Sequence, residues 1–397
     1  MPARPISGLT LAASLLGLVV MFYLGLTGPL WSDPELYYAY SKNFLSGADS
    51  GLFLSLYPPF ALAYFVFPAL FSSDLGGYLG KFEALNMLLF AATAFLVYFF
   101  AGRRGLEPRE TAIKYAALAL PLTNIFLWRY DLLPALLAFG GVILFLGNRR
   151  SLGFSALLVA GGLKLFPLLL LPFLFLTYRR KNWRLLAKDF LPPAAVVALL
   201  YFWAAQVLSY GRGLIDPLFY HTGRYFQMES VYSSVILAIG ALVPSLRPDV
   251  AVSLSADIRF SYESALLWLP TVLMAVALLA VYWSAYRSRK TVERDLPAWC
   301  ALALLAFLVT TKVFSTQYVL WLAPFLPFVL PKEWKFFALC ASVFVLTALV
   351  CPYLYRGLLA QNSFAILVLL LRNVLLLAVF LRLARVLNVS VPKFGKG

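Results

Sequence analysis

The sequence predicts an all-α polytopic membrane protein, and three observations predict it. The mean hydropathy is +0.85, and 62% of the 397 residues are hydrophobic. Apolar runs suited to a hydrocarbon layer of about 30 Å recur along the whole chain. Only 17 Asp and Glu stand against 33 Lys and Arg, and no polar stretch is long enough to bury a core of its own. The expectation is a single integral-membrane domain over residues 1–397.

The first apolar run, 8–30, is too long for a signal-peptide core and lacks a small-residue cleavage site, so it reads as an uncleaved helix. The net charge of +16 does not point to nucleic acid. Its basic clusters, Arg103-Arg104, Arg149-Arg150, Tyr178-Arg-Arg-Lys181, Arg287 to Lys290, Lys332 to Lys335 and the C-terminal tail, each fall between apolar runs. Short cytoplasmic loops belong there under the positive-inside rule. That orientation puts both termini in the cytoplasm of a multi-pass cell-membrane protein with about twelve crossings. The spans are about 8–30, 77–101, 110–127, 131–147, 151–163, 164–177, 186–209, 263–286, 296–311, 316–330, 333–352 and 362–384.

Two apolar segments do not fit as crossings. Tyr57-Pro-Pro59 opens a short, proline-broken run ending at Pro68, which should lie along the outer interface or re-enter. Val231 to Val243 would reverse the orientation of the helix that ends at Arg287 to Lys290. Two outer segments follow, about 31–76 and 210–262. The paired runs 151–163 and 164–177 are short and meet at Gly161-Gly-Leu-Lys-Leu-Phe-Pro167, leaving a recess around Lys164, whose charge needs a partner or a polar cavity. Cys300, Cys340 and Cys351 lie in or beside apolar segments and read as buried thiols.

Chemistry-bearing residues gather between the spans. Asp33 and Glu35 follow the first span; either suits a general base acting on a hydroxyl near the membrane, and Ser32 or Asp33 before Pro34 also suits a helix cap. In Trp128-Arg-Tyr-Asp-Leu-Leu-Pro134, Arg129 and Asp131 can pair with each other or hold a phosphate and sugar hydroxyls. Tyr220-His-Thr-Gly-Arg-Tyr-Phe-Gln-Met-Glu-Ser230 carries the single histidine, His221, with Arg224, Gln227, Glu229 and three aromatics. Planar donors and aromatic platforms suit sugars and phosphates. In Thr310 to Tyr318, Lys312 is a point-charge phosphate contact or a snorkelling side chain, with Ser315 and Gln317 as polar helpers. Arg372, inside the last span, should face the bundle interior, toward a phosphate or a structural partner.

In this order the outer motifs resemble those of GT-C glycosyltransferases. The branch they are most similar to is glycosyltransferase family 87, the polyprenol-phosphate-mannose-dependent mannosyltransferases. The likeness rests on Asp33-Pro-Glu-Leu-Tyr-Tyr38 with Gly47, Tyr57-Pro-Pro59, Arg129-Tyr-Asp131, Lys164-Leu-Phe-Pro167, His221-Thr-Gly-Arg224 with Gln227 to Ser230, and Gln317-Tyr-Val-Leu-Trp321. The resemblance implies a GT-C-like bundle with interfacial helices in the first outer loop. It also implies a polyprenyl-phosphate-sugar donor and inversion at the anomeric carbon without a metal. Asp33 becomes the base; Lys312, Arg224, Lys164 and Arg129 become donor-phosphate contacts; His221, Gln227 and Glu229 line the sugar or acceptor. Glu35, Tyr57, Asp131, Gln317 and Tyr318 complete the expected substrate-binding set. Short outer loops and the lack of a large soluble C-terminal domain favour a lipid or glycolipid acceptor over a polypeptide.

No Walker-type loop, dinucleotide fingerprint, serine-nucleophile elbow or His/Cys metal spacing is present in the sequence, so no cofactor or metal is expected. A transporter or flippase would also explain many helices and buried cations. It predicts internal repeats and polar groups at mid-depth, whereas the two halves show no convincing repeat and the polar clusters sit on the outer side. A non-catalytic membrane subunit predicts no basic, phosphate-sized pocket beside Asp33.

Overall fold

The computed structural model describes residues 33–48, 56–178, 182–209, 223–252, 255–260 and 266–389. The expected span 8–30 lies outside them. Among the described residues, five helices are long and apolar enough to cross a membrane: Leu75–Arg103, Trp183–Val207, Leu269–Arg287, Trp334–Tyr353 and Ser363–Val386. Shorter apolar helices, among them Leu132–Leu146, Arg150–Leu163 and Leu296–Thr310, coincide with further expected spans. The protein is thus a predominantly helical membrane protein.

Local chemistry sets where these helices begin and stop. Asp74 caps Leu75–Arg103 by accepting the Gly77 N–H at 2.7 Å, and the 29 residues rise about 43 Å. Helix Asp33–Leu45 carries Asp33 and Glu35 in its first turn and Lys42 in its last, the charge order that complements a helix dipole. Gly47, at φ +71°, follows its end in the left-handed region that glycine tolerates. The bundle packs around Leu296–Thr310, whose residues are buried on nearly every side, as expected of a helix apolar all round.

The run expected as a crossing at 316–330 takes another form. It is a pair of 3₁₀ turns, Thr316–Leu322 and Leu326–Phe328. Pro324 and Pro327 lack the N–H an α-helical ladder needs and crowd the preceding turn. The broken segment is buried in protein, where irregular backbone is tolerated at membrane depth.

The recess at Lys164 is formed by a real break. Helix Arg150–Leu163 ends at Lys164, whose backbone is extended (φ −159°, ψ 137°), and the chain resumes as Phe166–Leu170 and Leu171–Leu176. A Cβ on Gly162 would stand 2.3 Å from Phe60, so only glycine lets helix Phe60–Ala69 seat against this end. That helix and Asp33–Leu45 share an aromatic core, with Tyr37 stacked on Phe65 at 3.9 Å and Tyr130 against both.

A small antiparallel sheet was not anticipated. Strands β1 (Phe226–Gln227), β2 (Asp249–Val252) and β3 (Ala256–Arg259) pair in the order β1-β3-β2. Gln227 lies opposite Asp257. Helix Val231–Leu242 follows β1, capped by Ser230, which accepts the Ser233 N–H.

Candidate active site

The first helix, the 129–131 turn, the Lys164 break, the small sheet and the 311–321 segment converge on a cavity of about 670 Å³. Asp33 stands on one wall with its carboxylate paired to Arg129. Tyr37, one helical turn further on, directs its hydroxyl at Asp33 Oδ2 at 3.4 Å. This is the i, i+4 geometry of one helix face. Glu35 points away: it is exposed and does not line the cavity.

Arg129 and Asp131 do not pair with each other. The turn sends them to different partners, Arg129 to Asp33 and Asp131 to Lys164 at 2.6 Å. Asp131 is fully buried, and its Oδ1 also accepts the Trp321 indole N–H at 2.7 Å. It lies behind the cavity surface and orients Lys164, which does reach the surface. The Lys164 ammonium lies 4.7 Å from the Tyr130 ring centre, 5.0 Å from that of Tyr318 and 5.4 Å from that of Trp321. Aromatic faces favour a cation there.

The opposite wall comes from the sheet and the 311–318 segment. Arg224 pairs with Asp257 at 2.6 Å and also donates to Ser255 Oγ. Lys312 is joined to the sheet through its carbonyl, which accepts the Gln227 N–H at 2.9 Å. Burial, and then the neighbouring Arg224, draw the Lys312 ammonium below its ordinary range. Gln227 and Glu229 both line the cavity and are 4% and 3% exposed. Burial pushes the Glu229 carboxyl up to about 7, against the opposing pull of Arg372 and Arg224. Tyr57, Gln317 and Tyr318 line the cavity as well. His221 lies outside the described residues.

Arg372 faces inward as the sequence suggests, and its partners are structural. It is fully buried, donates to the Glu229 carbonyl at 2.8 Å and covers the Phe314 ring at 4.4 Å. Contributors outside the expected site set include Tyr37, Asp257 and Trp321. Tyr37 was within reach of helical spacing from Asp33. Asp257 was not, since only the β1–β3 register brings it to Arg224. Trp321 belongs to the quoted Gln317 to Trp321 motif, and its role as an Asp131 donor required the 3₁₀ turn.

The remaining flank is apolar, formed by Leu165, Phe166, Leu169, Pro270, Met274 and Phe307. Cationic groups beside a hydrophobic slot suit a molecule that joins an anion to an apolar chain. The model of glycosyltransferase family 87 matches residues 55–316, more than half of the chain. The protein therefore belongs to glycosyltransferase family 87 and is a membrane glycosyltransferase. No curated protein and no solved structure matches it. The matched range contains Arg129, Lys164, Arg224, Gln227, Glu229 and Lys312; Asp33 precedes it and joins them through the geometry of the cavity.

Proposed function

We propose that the protein transfers a hexose from a polyprenyl-phosphate-linked donor to a lipid or glycolipid acceptor, with inversion at the anomeric carbon. Mannose is the sugar that the family resemblance favours. The observation that carries this reading is the Asp33 carboxylate on the same cavity as Arg129, Lys164, Arg224 and Lys312, beside an apolar flank. Asp33 takes the proton of an acceptor hydroxyl as that oxygen attacks C1 of the sugar. The C1–O bond to the lipid phosphate breaks on the opposite face, and its electron pair leaves with the phosphate oxygen. Cations already oriented toward the cavity stabilise the charge that develops there, without reorganising at the moment of reaction. One base and a departing phosphate suffice for inversion, so no second catalytic carboxylate is required; the glycosidase pair is the contrast.

Arg129 has two tasks in this scheme. It holds Asp33 in place before substrate arrives, and it shares its guanidinium with the donor phosphate afterwards. Tyr57, Gln317 and Tyr318 shape the sugar end, while the Leu169, Met274 and Phe307 side receives the first units of the prenyl chain. The loop charges support about twelve crossings, cytoplasmic termini and a site on the outer face.

The test is an assay of the purified protein in lipid, with labelled polyprenyl-phosphate-mannose and a total lipid extract, followed by identification of the labelled product. The expected product is a glycolipid whose new linkage has the anomeric configuration opposite to that of the donor. Retention of configuration would contradict the single-base mechanism. Transfer to water alone would contradict a lipid acceptor.

A further inference from the structure

Helix Val231–Leu242 is turned inside out. Its buried side carries Ser233, Ser234 and Gly240 beside Leu237, whereas Val235, Ile239 and Leu242 are exposed, Leu242 by 83%. Leu246, at the end of the 3₁₀ turn Pro244–Leu246, is exposed too. A helix facing water shows the reverse, with polar residues outside and apolar ones inside. Small residues on the packed side and large apolar ones outside are the arrangement of helices in a bilayer. No Asp, Glu, Lys or Arg occurs from Val231 to Leu246, and the next residue, Arg247, carries the first charge.

The contacts at its two ends fix how deep it lies. At the start, Asn373 donates to Ser230 O at 3.1 Å and Arg372 donates to Glu229 O at 2.8 Å. Past the end, Arg247 Nε donates to Gln361 Oε1 at 2.7 Å, and Gln361 Nε2 donates to Pro248 O at 2.7 Å. The segment therefore runs antiparallel to the first half of Ser363–Val386, a helix long and apolar enough to cross a membrane. The 24 residues of that helix rise about 36 Å, enough for a hydrocarbon layer of about 30 Å. Asn373 stands about 15 Å along it, so Ser230 reaches roughly the middle of the layer, while Arg247 and Gln361 mark its edge. With 12 residues, Val231–Leu242 rises about 18 Å, the length of a half-crossing and too short for a whole one. Phe364, Leu367 and Leu371, on the same half of the neighbouring helix, are exposed as well. The backbone at the deep end is irregular and is tied to Arg372 and Asn373 inside the protein, the condition under which such backbone exists at membrane depth.

We propose that Val231–Leu242 is a re-entrant half-helix, immersed in one leaflet with Val235, Ile239 and Leu242 against its acyl chains. Lipid is the occupant of that face because the adjoining half of a membrane-spanning helix presents an exposed apolar side at the same depth. Strand β1 leads into Ser230, so the sheet wall of the cavity is carried below the headgroup level. This placement holds whichever reaction the cavity carries out.

The experiment places the full chain in phosphatidylcholine vesicles, with a nitroxide on one introduced cysteine at a time: Val235→Cys, Ile239→Cys, Leu242→Cys and Leu246→Cys. Phe364→Cys and Leu371→Cys serve as references on the neighbouring helix. Cys300, Cys340 and Cys351 are buried, and wild type treated with the label sets their background. Collision with oxygen, which partitions into lipid, and with a water-soluble nickel chelate gives the depth of each label. The label of Val235→Cys should lie about 10 Å deeper than that of Leu242→Cys and level with that of Leu371→Cys. The label of Leu246→Cys should be the shallowest of the four. Equal depths at all four positions would mean a helix lying flat on the membrane surface. Ready contact with nickel at all four would mean a helix in water, and shielding from both reagents would mean a covering protein. Each of these three results overturns the proposal. The order needs only two depths, so Ile239→Cys stands in if Val235→Cys or Leu242→Cys does not fold.

Discussion

The two walls of the cavity hold similar numbers of charges and use them differently. On the first, Asp33 with Arg129 and Asp131 with Lys164 form two ion pairs set in a cage of Tyr37, Tyr130, Tyr318 and Trp321. On the second, Arg224 is paired with Asp257, while Gln227 Oε1 and Glu229 Oε2 are buried without a hydrogen-bond donor. The first wall is neutralised and braced, as suits a base and phosphate contacts that must not drift between turnovers. The second buries a carboxyl whose charged form is disfavoured, which makes it the wall whose stability depends on pH.

Breaking the first wall has the largest expected effect on stability. Lys164→Met leaves Asp131 buried with one indole donor and no counter-ion, and stranding one member of a buried pair costs about 3–5 kcal/mol. The thermal midpoint of the purified protein should fall by several degrees. In the double variant Lys164→Met with Asp131→Asn, much of that loss should return, because no charge is then left alone. An unchanged midpoint in the single variant would mean that the pair is solvated and the wall is not braced as described.

The second wall predicts a smaller, pH-dependent effect. Glu229 titrates at about 7 when folded, against an ordinary 4.5, so between these values the folded protein keeps a proton that the unfolded chain releases. Stability therefore falls as pH rises from about 4.5 to 7 and is level above that. The whole step amounts to about 3 kcal/mol. Glu229→Gln removes the titration, and its midpoint should change less between pH 5 and pH 8 than that of wild type. Parallel curves for the two proteins would show that Glu229 is not held in a desolvating site.

The comparison also shows what could be read before folding. The long apolar helices and the break at Lys164 were legible, because hydropathy and the Gly-Gly-Leu-Lys-Leu-Phe-Pro run are local signals. The second wall was only half legible. Arg224, Gln227 and Glu229 stood out as a polar cluster, whereas the sheet that organises them has strands of two to four residues and pairs Gln227 with Asp257 across the intervening helix. No short-range pattern encodes that register. Arg129 and Asp131 look like a natural pair at a spacing of two, but the turn between them directs the side chains to different layers. The run at 316–330 has the hydropathy of a membrane span, and its prolines made the 3₁₀ form foreseeable without fixing where Trp321 would point.

The central claim is that Asp33 is the base of an inverting glycosyl transfer. Its most direct test is single-turnover transfer by Asp33→Asn in lipid, alongside donor binding by the same protein. The substitution keeps the side chain's shape and removes its capacity to take a proton. Transfer should drop by at least about a thousandfold, while donor affinity stays within roughly tenfold of wild type, since Arg129, Lys164, Arg224 and Lys312 remain. Turnover at the wild-type rate would contradict the assignment.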